Sequence, residues 1–483
     1  MKKLIAFLLA AAMLLPLVSC GTDPVENTET EAVEETADPN VETRTPHNVP
    51  AGTTFDGASF TMGFFFGSPD KYFSDELTGD NMNDAIYRRQ KKAEGELDVK
   101  LGYEGDVEHD EFIQLYKAGD DVYQYIQLHR ISYVEEFSGT GYLRPIETMP
   151  YIDLNADWYN KEQTDAMRMG KYTYFLTSDF NLLEPAAIVF NRNLITDNNF
   201  EDPYTLVSNG TWTVDKMIQM AIDVRNDRNG DGLYESEDDV FGIRGGDASL
   251  YCPFTTGMGI LTGTRNPETG RYEMTMNNEK TYDGLDKLYR LHENPGSYLY
   301  TGVNVNFASG NILFDLCYAS SIERSADISE FVIGVVPYPK YDEAQERYYS
   351  QATSGLSAIP DSIKNPEMVG AVIEYLSWES DNEVTDTYYN KLLKTRYAND
   401  PETRAMLEII FDTVTYDPCT NYFGFSDGFC GLFYLASSVI IYGQNNYAAN
   451  FRLARGLCKA ELERIYTALD ALEGPAETET TAE

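Results

Sequence analysis

The sequence predicts an α/β protein of at least two lobes, and three observations carry that expectation. At 483 residues the chain exceeds a single core, since domains usually hold about 100–200 residues. Its hydrophobic fraction of 42% and aromatic fraction of 13% are ample for packed cores and exclude wholesale disorder. Strand-like and helix-like segments alternate along the body, the pattern of largely parallel sheets flanked by helices.

The first residues set the expected compartment. Lys2 and Lys3 precede an apolar run from Leu4 to Val18, interrupted only by Pro16. That run is shorter than the roughly 20 apolar residues a membrane span needs, and it reads as the h-region of a signal peptide over residues 1–19. It ends in Leu17-Val18-Ser19-Cys20-Gly21, which resembles a bacterial lipobox with Cys20 as the lipidated residue. Several acyl chains on one cysteine would anchor the protein stably, because each buried methylene contributes about 0.8 kcal/mol. The expectation is an exported protein held at the outer face of the cell membrane.

Residues 20–50 follow as an acidic linker, with eight acids against one arginine and no Phe, Tyr or Trp between Gly21 and Pro50. Such a segment buries too little apolar surface to offset its ordering entropy. Residues 473–483 have the same character, so the folded body is expected over about Ala51 to Leu472. Five cysteines remain after Cys20, namely Cys252, Cys317, Cys419, Cys430 and Cys458, without a C-x-x-C. They are expected mostly as buried apolar residues, with a Cys419–Cys430 pair left open.

Within the body, Ala58 to Phe66 is rich in aromatics and reads as the first strand. Asn83 or Asp84 would cap a helix from Ala85 towards Leu97, and Asp98 to Tyr103 returns as a strand. Tyr123 to Leu128, Tyr172 to Leu176 and Ala186 to Phe190 are further short strands. Thr213 caps a helix with Met217, Ile218, Ala221 and Ile222 on one face and Asp215 in its first turn. Asn365-Pro366-Glu367 supplies a cap, a first-position proline and an early acid to a helix carrying Val369, Val372, Ile373 and Leu376.

Charge excludes some partners. There are 78 Asp and Glu against 37 Lys and Arg, a formal net charge of −41. Phosphate backbones need clustered cations, so nucleic acid is not an expected partner, and anionic lipid heads are disfavoured likewise.

The run Asp227 to Asp238 carries acceptors at positions 1, 3 and 5 and Gly232 at position 6, resembling an EF-hand calcium loop. Its expected ligands are Asp227, Asn229, Asp231, Leu233 (through its carbonyl), Glu235 and Asp238. Asp238 replaces the usual closing Glu, and Val240 to Ile243 reads as a strand rather than an exiting helix. The alternative is a turn that binds nothing. No other cofactor is expected. Gly424-Phe425-Ser426-Asp427-Gly428 matches the nucleophile elbow of α/β-hydrolases, but all four histidines precede Ser426, so the Ser-acid-His order is missing.

Five segments, taken together, carry a family resemblance. They are Asp84-Ala85-Ile86-Tyr87-Arg88-Arg89, Gly170 to Leu176, Val189-Phe190-Asn191-Arg192-Asn193-Leu194, Gly210 to Asp215 with its Trp212-Thr213, and Gly334 to Tyr341. From Asn83 to Tyr442 the chain resembles the extracellular solute-binding proteins of bacterial ABC importers, of the carbohydrate-binding, maltodextrin-binding-protein-like kind. The resemblance implies an α/β two-lobe, periplasmic-binding-protein-like (type II) fold with the ligand in a cleft between the lobes. Lobe I would hold residues 51–183 and 349–377, and lobe II residues 185–347 and 379–472. It also implies a sugar ligand, a membrane permease as partner, a monomer and no turnover.

By the same resemblance, Glu184 matches a carboxylate that binds sugar hydroxyls, and Tyr251 matches a stacking aromatic. His129 and Arg130 follow a strand where relatives place polar sugar-binding groups, and Tyr318 stands where a stacking Trp would be. Trp158 and Phe65 are further candidates by position. Each has an ordinary alternative: Tyr251 a core aromatic, Glu184 a hinge carboxylate, His129 a satisfied loop histidine. A peptide-binding relative, a lipid-anchored glycoside hydrolase and a surface adhesin are the competing functional classes.

Overall fold

A computed structural model describes residues 44–65, 67–128, 134–300, 305–353, 355–390, 400–417 and 434–474. Cys20, His129, Arg130, Cys419, Cys430 and the 424–428 motif lie outside these residues. The chain divides into a unit of Met1–Pro46, described only over 44–46, and a body of His47–Glu483. The body therefore begins before the expected Ala51. Glu374 explains the difference: its Oε1 accepts from both the amide and the Nδ2 of Asn48 at 3.1 Å, and Val49 is buried.

Two sheets organise the body. The smaller has the order β12-β3-β1-β2, made of β1 (Ala58–Phe64), β2 (Val99–Glu104), β3 (Tyr125–Leu128) and β12 (Leu356–Ala358). β1 pairs in parallel with both β2 and β3, while β12 runs antiparallel to β3. The Asn81–Leu97 helix connects β1 to β2, and its cap is Asp80, whose side chain accepts from the Met82 and Asn83 amides. The helix thus starts one turn before the expected Asn83 or Asp84, because Asp80 reaches the first free amides. Of the expected strand Tyr172 to Leu176, only Leu176 pairs, as a bridge to Ser357.

The larger sheet has the order β13-β11-β4-β9-β5-β8, with β10 also on β4. Its strands are β4 (Glu184–Asn191), β5 (Phe241–Gly245), β8 (Tyr298–Leu299), β9 (Ile312–Tyr318), β10 (Ile333–Val336), β11 (Ser350–Thr353) and β13 (Val414–Thr415). The expected parallel character holds for β5 with β8 and β9, but β4 pairs antiparallel with β9, β10 and β11. The Val214–Asp223 helix begins at a Thr213 side-chain cap, and the Pro366–Ser380 helix begins at an Asn365 cap. Trp212 is buried, its Nε1 donating to the Pro337 carbonyl at 2.8 Å, which ties two of the family-like segments together. A separate hairpin, β6 (Gly263–Arg265) with β7 (Tyr272–Met274), packs near the Tyr447–Glu473 helix.

The chain passes between the sheets three times. β4 enters the larger sheet at Glu184. β11 leaves the larger sheet after Thr353, and β12 joins the smaller at Leu356. The return to lobe I therefore falls after Thr353 rather than at 349, since Ser350 and Gln351 pair with β13. The third passage continues the Pro366–Ser380 helix through a π-helical turn, Asp381–Thr385. Such turns locally widen the helix and mark places where geometry is being adjusted. Cations of the Asn81–Leu97 helix hold this turn: Lys92 Nζ reaches Glu379 at 2.5 Å and Glu383 at 2.6 Å, and Arg88 reaches Glu383 at 3.1 Å. Arg89 is buried over the Phe180 ring at 4.6 Å, and burial holds its guanidinium down to about 9.

The apolar interior follows the same plan. Phe60, Met62, Ile359 and Val369 form a lobe I core, while Phe137 and Met169 join a cluster that also holds Ile188, Trp212 and Ile465. The last turns of the Tyr447–Glu473 helix reach lobe I directly, where Glu473 Oε2 accepts the Lys171 amide at 2.6 Å. Cys252, Cys317 and Cys458 are buried as thiols. Among the described residues no helix is long and apolar enough to cross a membrane.

Candidate functional site

Strand direction places the site. β1, β2 and β3 are parallel, and the carboxyl end of β3 lies beside Leu356, just past the second passage. In the larger sheet the pairs Thr353 with Glu184 and Ala186 with Tyr318 put the end of β9 at the passage end, and β5 and β8 run parallel to β9. The carboxyl ends of both sets of parallel strands thus border the passages. Crevices outside strand carboxyl ends are where α/β sheets bind ligands.

Glu184 stands at this border. Its carboxylate pairs with Lys71 at 3.0 Å, and it is far less exposed than its partner. Tyr318 ends β9 on the same border, half-buried. Beside them lies a buried amide network from three segments. Asn181 Nδ2 donates to Ser357 Oγ at 2.8 Å and to Gln127 Oε1 at 3.2 Å, and Ser357 Oγ donates to Gln127 Oε1 at 3.0 Å. Gly355 permits this closeness, since a Cβ there would meet Gln127 Nε2 and the Tyr72 hydroxyl.

Tyr251 is a correction. It is fully buried, and its hydroxyl accepts from the Gly245 amide at 3.0 Å while donating to the Leu299 carbonyl at 2.9 Å. Its ring offers no face to a ligand; instead it ties together the carboxyl ends of β5 and β8 from beneath. Burial pushes its hydroxyl pKa well up, so it stays a neutral donor. Trp158 is a second correction: it is buried in the lobe I core, with Nε1 donating to Glu374 at 3.2 Å. Phe65 follows β1 at the right end, but its ring is buried edge-on among Phe112 and Phe137 at 5.5 and 5.7 Å.

Sequence reasoning missed two exposed rings at the strand-end border. Tyr103 near the end of β2 is 43% exposed and stacks on Phe73 at 5.3 Å with an interplanar angle of 26°. Its place at the end of a predicted strand was the available signal. Tyr442 is 62% exposed and ends the Leu435–Tyr442 helix, and its side chain stands near that of Tyr300, the residue after β8. Nothing local marks it. Arg244 and Asp315 pair at 2.9 Å on neighbouring strands; burial lifts the Asp315 carboxyl to about 6 although Arg244 opposes that.

The expected cation loop is closed by its own backbone. Asp227 accepts from the Gly230 and Gly232 amides, each at 2.7 Å, Asn229 from the Asp231 amide, and Asp231 from the Leu233 amide. Buried Asp239, one residue past the expected position 12, accepts from the Arg228 and Ser236 amides. Among the described residues no three His, Cys, Asp or Glu side chains are grouped as metal ligands.

No family model matches the chain, and no curated protein matches it. Solved structures do. An ABC substrate-binding protein of Listeria monocytogenes in complex with cycloalternan is similar over 87% of this chain and 100% of its own, at 13% identity and TM-score 0.55. The GacH receptor of Streptomyces glaucescens, solved unliganded and with acarbose, is similar over 86% and 98%, at 15% identity and TM-score 0.53. UgpB of Mycobacterium tuberculosis in complex with glycerophosphocholine is similar over 82% and 99%, at 14% identity and TM-score 0.54. The body therefore has the two-lobe, type II periplasmic-binding-protein-like fold.

Proposed function

We propose that this protein is the solute-binding component of an ABC importer, anchored outside the cell membrane through a lipid on Cys20, and that it captures a carbohydrate between its lobes. The observation that carries this reading is the border of strand ends at the passages, where exposed Tyr103 and Tyr442 accompany the carboxylate of Glu184. A pyranose has apolar C–H faces that pack on aromatic rings and hydroxyls that need fixed acceptors and donors. Likeness to proteins solved with cycloalternan and acarbose supports the ligand class, and the short apolar leader ending at Cys20 supports the anchor. The bound sugar is handed unchanged to a membrane permease.

A thermal-shift screen of the purified body against glycans, peptides and phosphodiesters tests the reading. A ligand at 100 times its Kd stabilises by about 2.7 kcal/mol. Stabilisation by a glycan, with no new reducing ends on incubation, is the expected result. Response to peptides alone, or release of reducing ends, would replace it with the rival classes.

A further inference from the structure

A cavity of about 590 Å³ lies between the β6–β7 hairpin and the Tyr447–Glu473 helix. That volume lies within the range of small-molecule sites. Its floor is apolar and aromatic, formed by buried Tyr272, Phe451, Leu462 and Tyr466. Its mouth is cationic. Arg271 lies over the Tyr466 ring at 4.7 Å and pairs with Asp470 at 2.6 Å. Arg455 and Lys459 stand four residues apart on the helix, hence on one face, and both are exposed.

Among the described residues, neither Arg455 nor Lys459 has an ion-pair partner. Two acids, Glu273 and Glu463, also border the cavity, and Glu273 accepts from Asn266 Nδ2 at 2.8 Å. The lining comes wholly from the hairpin, the adjoining Thr275 and Asn277, and the last helix, so no residue of the strand-end border takes part.

We infer that this cavity is a second binding site, separate from the interlobe cleft, for a small molecule carrying one carboxylate or phosphate on a flat apolar body. The anion sits between Arg455 and Lys459, where each contact is a charge-assisted hydrogen bond, and the flat body packs along the apolar lining of Phe451 and Leu462. The inference does not depend on the cleft's ligand.

Calorimetry and NMR titration of the purified chain with phenyl phosphate, phenol and inorganic phosphate test it. Phenyl phosphate is expected to bind, with phenol and inorganic phosphate each about tenfold weaker. The double substitution Arg455→Gln and Lys459→Gln, both at exposed positions, is expected to weaken phenyl phosphate about tenfold while leaving Tm unchanged. Tyr103→Ala in the cleft should leave it unaltered. No binding of phenyl phosphate, equal binding by the double variant, or loss in Tyr103→Ala would each overturn the second site.

Discussion

The Tyr251 hydroxyl accepts the Gly245 amide hydrogen at 3.0 Å, at the carboxyl end of β5. The same oxygen donates to Leu299 at the end of β8, so one buried side chain fixes two strand ends under the cleft. Tyr251→Phe leaves a buried amide and carbonyl without this partner, which should cost about 1–3 kcal/mol in urea unfolding. Affinity for a cleft glycan should change less than stability does. A large affinity loss at unchanged stability would return Tyr251 to the ligand surface.

Glu184 is expected to act on the ligand rather than on the fold. Its pair with Lys71 is exposed on the lysine side, so breaking it through Lys71→Ala should move stability by no more than about 1 kcal/mol. Glu184→Ala should weaken glycan binding about ten- to hundredfold, as a ligand hydroxyl loses its acceptor in a water-poor cleft. Calorimetry of the three proteins decides, and equal affinities would move the pocket elsewhere.

The exposed rings give a complementary test. Tyr103→Ala and Tyr442→Ala remove surface that the folded body leaves open, so each should lower glycan affinity by about fivefold with Tm nearly constant. Unchanged affinity in both variants would show that the ligand does not reach this border.

A pH prediction follows from Asp179, which precedes the first passage. Burial lifts its carboxyl to about 8, and the charge of Asp381 in the π-helical turn adds to the rise. An unfolded aspartate ionises near pH ~3.9, so between about pH 4 and 8 the unfolded chain releases a proton that the folded chain retains. Folding is penalised progressively as pH rises through that window, and fully above it. Asp179→Asn removes the penalty. The variant should match wild type near pH 4 and exceed it by about 1–2 kcal/mol above pH 8, a figure reduced because the side chain keeps some solvent contact. Parallel stability curves would refute it.

The 227–238 loop separates two accounts of its carboxylates. Asp227 already caps the Gly230 and Gly232 amides, so Asp227→Ala should destabilise by about 1–2 kcal/mol whether or not calcium is present. A wild-type Tm that climbs with calcium and a variant that does not respond would instead establish a cation site.

What the sequence disclosed was mostly local. The Thr213 and Asn365 caps were readable because a cap, a proline and an early acid act within one turn. β11 and β12 were not, since four- and three-residue strands take their partners from distant parts of the chain, β4 and β13 for β11 and β3 for β12. Within the site, Glu184 could be placed through its neighbouring strand, whereas Tyr251 and Tyr442 could not be sorted into buried and exposed among 35 tyrosines. Burial of a single ring depends on tertiary neighbours that composition does not encode.

The anchorage of Asn48 on Glu374 has a mechanical consequence. Glu374 also accepts from Tyr159 at 2.6 Å, and His47 packs edge-on against Trp378 at 4.7 Å, so the start of the body is fastened to the Pro366–Ser380 helix of lobe I. Any tension arriving along the upstream chain is delivered to that helix, on the smaller-sheet side of the π-helical turn. That helix packs in the core beneath the smaller sheet, so lobe I takes up the load first.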